Sequence, residues 1–181
     1  MESHSNFIIE KAGSEVLNEL RSLWLSLHKY HQTIGPKLAP YVDDATSWNQ
    51  RKRLYERILA NAESFLRLAR RGGTAVGYAL VRVEPTAFWN WDDTWITGER
   101  TAELVTLVVS PQERGKGIGK ALLDAVDVEL LRLGINDMVL GTLPNNTNAI
   151  EIYKRRGFTP TMLVMTRFAA RQDLERTQNS G

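Results

Sequence analysis

Between Thr101 and Leu143 the chain reads strand, turn, helix, strand, and this order constrains the fold more than any other feature. TAELVTLVVS has the composition of a strand and stops at Pro111. After a glycine-rich turn, Ile118 to Leu133 is apolar on nearly every side, with Lys120, Asp124 and Asp127 as a polar stripe. That pattern predicts a helix packed on more than one side, and Gly134 is its natural C-terminal cap. Asp137 to Leu143 supplies the second strand. A strand-helix-strand crossover within one sheet makes its two strands parallel.

The flanking segments fill out the sheet. Phe7 to Glu10 reads as a first strand, and Ser14 offers a cap for a helix running to about Tyr30. Ser47 to Gln50 has the form of a capping box for a second helix. Arg51, Lys52 and Arg53 fall outside the apolar face of that helix and read as solvated. SFLRLAR and TAVGYALVRVE, joined by Arg71-Gly72-Gly73, predict an antiparallel hairpin. Asn145 or Asn146 caps a helix to Arg156, and Thr161 to Phe168 reads as the last strand. The order is β-α-α-β-β-β-α-β-α-β. It predicts an α+β fold, an α/β sandwich: a mixed, mostly antiparallel sheet with a central parallel βαβ pair and helices on both faces. One domain over residues 1–168 and a polar tail over 169–181 are expected.

Several function classes are disfavoured by composition. No apolar run approaches the about 18 residues of a membrane span, and the N-terminus lacks the pattern of a signal peptide. Absent cysteines exclude disulfides, thiolate metal sites and a cysteine nucleophile, and fit a cytoplasmic location. A net charge of +2 is too small to argue for nucleic acid. His4, His28 and His31 are the histidines; the pair at 28 and 31 reads as a solvated helix end, and no metal is expected.

The turn itself is QERGKGIGKALL, from Gln112 to Leu123. Glycines at a strand end and helix start suit an anion, because the helix N-terminus presents unpaired N–H groups and partial positive charge. Arg114, Lys116 and Lys120 add cations. The dinucleotide fingerprint needs G-x-G-x-x-G, which Gly115, Gly117 and Gly119 do not supply. The P-loop needs a hydroxyl where Ala121 stands. A third pattern, Q/R-x-x-G-x-G/A, is met by Arg114 to Gly119.

With its strand, the run from Leu107 to Leu122 strongly resembles the coenzyme A-binding segment of the GNAT superfamily of acyl-CoA N-acyltransferases. Asn146-Thr-Asn-Ala149 followed by Tyr153-Lys-Arg-Arg-Gly157-Phe158 resembles that family's N-x-x-A-x-x-x-Y-x-x-x-G-F segment. The likeness is detailed over residues 101–160. It implies N-acetyl transfer from acetyl-CoA to a primary amine by direct attack in a ternary complex. The pyrophosphate would rest on the backbone of Gly115, Lys116, Gly117, Ile118 and Gly119, beside Arg114 and Lys120. The pantetheine arm would lie along Leu107, Val108 and Val109, in the place of a missing strand. Asn146 and Ala149 would complete the cofactor site, with Asn146 orienting the cofactor, capping its helix, or both. Tyr153 matches the tyrosine placed to protonate the departing sulfur; the alternative is a packing tyrosine. Glu103 is the candidate base, or else an exposed strand-end carboxylate.

For the acceptor, FWNWDDTW interleaves aromatic rings and carboxylates, which suits a small cationic amine. Trp89, Trp91, Asp92 and Asp93 are the candidates, and a loop packed on its own domain or a second subunit is the alternative. A non-catalytic acyl-CoA sensor and a peptide or protein amine acetyltransferase are the competing functions. The family ends in two strands after its G-F, whereas residues 157–168 have room for one. The last strand is therefore shortened or completed by another chain, leaving monomer or homodimer open.

Overall fold

Two glycines after Arg71 reverse the chain, and β2 (Phe65–Arg71) pairs antiparallel with β3 (Thr74–Pro85) as their alternation requires. The computed structural model describes residues 6–89 and 93–168, with Trp89 through its backbone alone; His4, Trp91, Asp92 and residues 169–181 lie outside it. β1 (Ile8–Ala12), β2, β3, β4 (Arg100–Val109) and β5 (Asp137–Leu140) lie in that spatial order. The first four are antiparallel, and β4 and β5 are parallel across the predicted crossover. No helix among the described residues is long and apolar enough to cross a membrane.

Helices cover both faces. On one lie α1 (Arg21–Ile34) and α2 (Asp44–Leu59), where Leu20, Trp24, Tyr55 and Ile58 bury Leu66, Leu68, Tyr78 and Leu80. On the other lies α3 (Ile118–Leu133), where Ile118, Leu122 and Val126 bury Ala79, Val81, Ala102 and Leu104. The buried stripe of α3 runs its full length, but Val128 and Leu131 are 67% and 77% exposed, so the expected packing on more than one side does not reach them. α4 (Thr147–Arg155) crosses back after β5 and is tied to α3 by Arg156, whose Nη1 donates to Asp127 at 2.7 Å.

β4 carries the one irregularity that matters. Leu80 is opposite Thr106 but Val81 is opposite Leu104, so Val105 is an extra residue, a β-bulge. A bulge leaves two successive side chains on one face. Ala102 and Leu104 face α3, Val105 and Thr106 both face the α1/α2 layer, and Leu107 and Val109 face α3 again. Pairing with β5 ends at Leu104 opposite Leu140, immediately before the bulge.

Several expectations are corrected. The first helix begins as a 3-10 helix, Ser14–Leu20, and α1 continues beyond Tyr30 to Ile34. α2 is capped by Asp43, whose carboxylate accepts from the Thr46 N–H at 2.8 Å. Ser47 is buried inside the helix and accepts from Trp24 Nε1 at 3.0 Å. A free hydroxyl buried beside an indole N–H is worth more to the fold as its acceptor than as a cap. Nor is the basic run all solvated: Arg51 lies 3.8 Å over the Trp24 ring. His28 is buried against Trp24, with its Nε2 3.3 Å from the Val42 carbonyl, instead of ending a helix in solvent. The predicted strand from Thr161 to Phe168 does not form. Its Met162, Leu163, Val164 and Met165 are 67–83% exposed. Composition alone does not make a strand: β5 is the outermost strand of the described sheet, and residues 161–168 do not pair with its open edge.

Between the α layer and the sheet sits a buried polar knot. The Tyr55 hydroxyl is 2.6 Å from Thr106 Oγ1 and 3.0 Å from the Tyr78 hydroxyl, and burial raises both phenols above their ordinary pKa. Tyr55→Phe leaves two buried hydroxyls short of a partner and is expected to cost about 1–3 kcal/mol in urea unfolding, whereas an exposed Tyr41→Phe change should cost far less.

Candidate active site

Beyond Val109 the chain makes a short 3-10 turn, Pro111–Glu113, and then the glycine loop. Gly115 and Gly117 have φ of 75° and 81°, a region that side chains disfavour. An added Cβ at either meets no protein atom within 4 Å, so what the loop keeps clear is space outside the protein. α3 starts at Ile118, and Ala121 donates to the Gly117 carbonyl at 3.0 Å. The N–H groups of Ile118, Gly119 and Lys120 precede that first helical bond and point into the same open space. Their sum with the helix dipole fits a pyrophosphate.

The loop's cations are tethered at its rim. Lys116 contacts Glu113 at 3.2 Å and Lys120 contacts Asp124 at 2.7 Å. Such exposed pairs are weak and re-form readily around an anion. The Arg114 guanidinium lies 5.5 Å from the Tyr30 ring centroid, and its Nε donates to the Val109 carbonyl at 3.3 Å.

From the loop an open edge runs back along β4. Ser110 N–H donates to Val76 on β3, so by the two-residue alternation Val108 also faces β3 and Leu107 and Val109 turn their backbone groups outward. With β5 ended at Leu140, no strand among the described residues covers them. From Val109 to the bulge at Val105 this edge is about 13 Å long. It fits a slender chain carrying amides.

On the far side stand the residues of α4. Asn146 precedes the helix but makes no side-chain cap; its Oδ1 instead accepts from the Tyr30 hydroxyl at 3.3 Å. Asn145 donates to the Ile34 carbonyl at 2.9 Å, so both asparagines bind the end of α1. Ala149 and Tyr153, one turn apart, are half-buried, and Tyr153 joins the apolar cluster that includes Leu107, Val109 and Leu140. Its ring lies 5.8 Å from that of Phe158, and burial pushes its phenol up to about 12. Among the described residues no group accepts from its hydroxyl.

Glu103 is two residues before the bulge, on the face opposite Ala102 and Leu104. It sits directly across from Arg82, whose Nε donates to its Oε2 at 2.8 Å, and Arg82 lies over the Phe88 ring at 5.1 Å. Glu103 and Tyr153 therefore flank the split between β4 and β5 from opposite faces of the sheet. The aromatic-acidic connection leaves β3 and enters β4 at Arg100, at the other end of β4 from the glycine loop. Its base is closed by Thr86, whose Oγ1 donates to the Gly98 carbonyl at 2.6 Å. Phe88 and Trp95 are exposed, as is Asp93, which accepts from Thr94. Trp91, Asp92 and the Trp89 side chain fall outside the described residues. A concavity bounded by Thr97, Gly98, Arg100 and Asp137 lies at that same far end, away from the loop.

The sequence did not announce Tyr30, His31 or Arg51. Tyr30 joins the loop to α4, and burial, aided by Arg51 and His28, holds the His31 imidazole below its ordinary pKa. The available signal was the i, i+4 pairing of Trp24 with His28 and of Arg51 with Tyr55 on neighbouring helices. Among the described residues, no three His, Asp or Glu side chains are grouped to hold a metal.

A mixed sheet split beside a glycine-capped helix N-terminus leaves an open strand edge that leads to a helix start suited to an anion. The acetyltransferase (GNAT) family profile matches residues 24–158, and the chain belongs to that family. It is 33% identical over 97 residues to a mycothiol acetyltransferase of Pseudarthrobacter chlorophenolicus, covering 52% of this chain and 27% of that protein. The chain thus spans under a third of the mycothiol acetyltransferases it matches. A GCN5-related N-acetyltransferase from Ralstonia eutropha has the same fold, with a TM-score of 0.69 at 19% identity, over 90% of this chain and 99% of that one. So has the aminoglycoside N-acetyltransferase AAC(6')-Iy in complex with CoA, with a TM-score of 0.61 at 21% identity, over 90% and 93%.

Gly117→Ala tests the loop. It should lower stability by about 1–2 kcal/mol from the left-handed backbone. It should also raise the acetyl-CoA dissociation constant about tenfold or more in titration calorimetry, because the new methyl enters the space the loop keeps clear.

Proposed function

We propose that this chain transfers an acetyl group from acetyl-CoA to a small primary amine, by direct attack within a ternary complex. The observation that carries the reading is the open edge of β4 from the bulge to the glycine loop: backbone donors and acceptors that no strand among the described residues covers, leading to a helix start whose first N–H groups make no intrahelical bond. Acetyl-CoA supplies the activated acyl group. The N–H groups from Gly115 to Lys120 hold its diphosphate, and Leu107 and Val109 hold the amides of its arm in the manner of a paired strand.

The rest of the chemistry belongs to side chains at the split. An alkyl ammonium, with a pKa of about 10.4, has no lone pair until it loses a proton. Glu103 takes that proton, directly or through water, from an amine arriving on the α1/α2 face. Its partner Arg82 orients the carboxylate. The carboxylates of the β3–β4 connection draw the ammonium toward this end of β4. Tyr153, from the other face, donates a hydrogen bond to the departing sulfur. Since its phenol stays protonated to about 12 and an ordinary thiol ionises at about 8.5, it stabilises the thiolate by donation rather than surrendering its proton outright. Without cysteine in the chain, a thioester intermediate on the protein has no nucleophile.

Thiol release with an amine panel tests the reading, and the protein contributes no thiol background. Binding of acetyl-CoA without release by any amine would favour a sensor. Tyr153→Phe is expected to lower kcat about tenfold to a hundredfold with little change in the acetyl-CoA KM. The raised phenol is protonated at every pH below about 12, so the wild-type profile should show no alkaline loss assignable to Tyr153 between pH 7 and 10. An equal kcat for the variant would leave Tyr153 a packing residue.

A further inference from the structure

Among the described residues, the half-buried arginines other than Arg51 are paired with carboxylates. Arg67 meets Glu129, Arg70 meets Glu10 and Glu19, Arg71 meets Glu113, Arg82 meets Glu103, Arg100 meets Glu63 and Arg156 meets Asp124 and Asp127. Arg51, also half-buried, has no carboxylate partner among the described residues. Its guanidinium is held between rings instead, 3.8 Å from the Trp24 centroid and 5.7 Å from that of Tyr55. The acids nearest in sequence are already engaged: Glu56 pairs with Lys52 at 3.9 Å, Asp44 pairs with Lys29 at 3.2 Å, and Asp43 accepts from Thr46.

Stacking fixes the plane of the guanidinium, and its contact with the Tyr55 hydroxyl engages only part of a fork of five N–H donors. A planar fork of donors matches a carboxylate or a phosphate. The location is informative as well. Arg51 stands one turn from Tyr55, whose hydroxyl bonds Thr106 directly after the bulge. The guanidinium is therefore separated from the split in the sheet by the width of one tyrosine ring, on the face where Glu103 lies. It is not part of the diphosphate cradle: Trp24 and Tyr30, the α1 residues facing Arg51 and Arg114, are about 9 Å apart along the helix. Burial, with Arg51 itself, holds the neighbouring His31 imidazole below its ordinary pKa and so favours its neutral form.

We propose that Arg51 is a specificity residue that binds an oxyanion, carboxylate or phosphate, carried by the acceptor on the same small molecule as the amine. The inference rests on the acetyltransferase reading and narrows its substrate class to zwitterionic amines. The ammonium is directed to Glu103 and the anion to Arg51, one on each side of the bulge.

The test uses matched acceptors that differ in the anion: L-amino acids against their decarboxylated amines, and O-phosphoethanolamine against ethanolamine. With wild-type protein the anionic member should have the higher kcat/KM by about tenfold or more. Which of the two sets shows the larger ratio separates carboxylate from phosphate. Arg51→Met keeps the apolar stem over Trp24 and should bring the ratio to about one through the acceptor KM, leaving the acetyl-CoA KM unchanged; Arg51→Lys should retain part of it. The same contrast is read without turnover as the rise in melting temperature that each acceptor gives the CoA complex. A wild-type ratio of about one in both measurements, or an Arg51→Met ratio equal to wild type, overturns the inference and leaves acetyl transfer standing. Failure of wild-type protein to bind acetyl-CoA overturns the acetyltransferase reading and this inference with it.

Discussion

One extra residue in β4 sets the arrangement of everything around it. Val105 has no partner on β3, so the strand bends there and its facing reverses. Pairing with β5 stops at the preceding residue, and the backbone of Leu107 and Val109 is left open along the edge. The same step turns Thr106 toward α2, where Tyr55 and Tyr78 receive its hydroxyl. The open groove and the buried knot are thus two faces of a single irregularity.

Around that split the electrostatics are divided between backbone and side chains. The anion end relies on N–H groups of a glycine loop and a helix start, which need no counter-charge within the protein. Its lysines and Arg114 sit at the rim in weak or aromatic contacts. In the proposed reaction the chemistry end relies on a carboxylate and a phenol on opposite faces, Glu103 and Tyr153. Between the two, Tyr30 links Arg114 to Asn146 and so ties α1 to both walls of the groove. The loop, α1 and α4 are consequently one connected assembly, although they are far apart in the chain.

Where the chain has local rules, they were legible. The glycine loop was readable because positive φ and a bare helix start demand glycine at fixed positions, and α3 begins at Ile118 as its pattern requires. The hairpin at Gly72-Gly73 and the parallel β4–β5 pair followed in the same way. Where the outcome depends on a partner distant in sequence, reading failed. Residues 161–168 have the composition of a strand but do not pair with the open edge of β5. The run Arg51-Lys52-Arg53 looks uniformly soluble, and only the approach of α1 shows that Arg51 faces Trp24 while Lys52 faces Asn18.

By itself, then, the sequence determined the elements, the crossover that makes two strands parallel, and the loop that can hold an anion, because each depends on backbone preferences within a few residues. Tertiary structure alone decided where the sheet divides and which side chains meet there. TAELVTLVV gives no local sign of a bulge; Val105 is displaced because Tyr78 and Leu80 on β3 and Tyr55 on α2 pack to a register that leaves it no partner. The division of roles among the arginines has the same cause. Charge is a property of the residue, but whether it finds a carboxylate, a ring or open space is settled by packing.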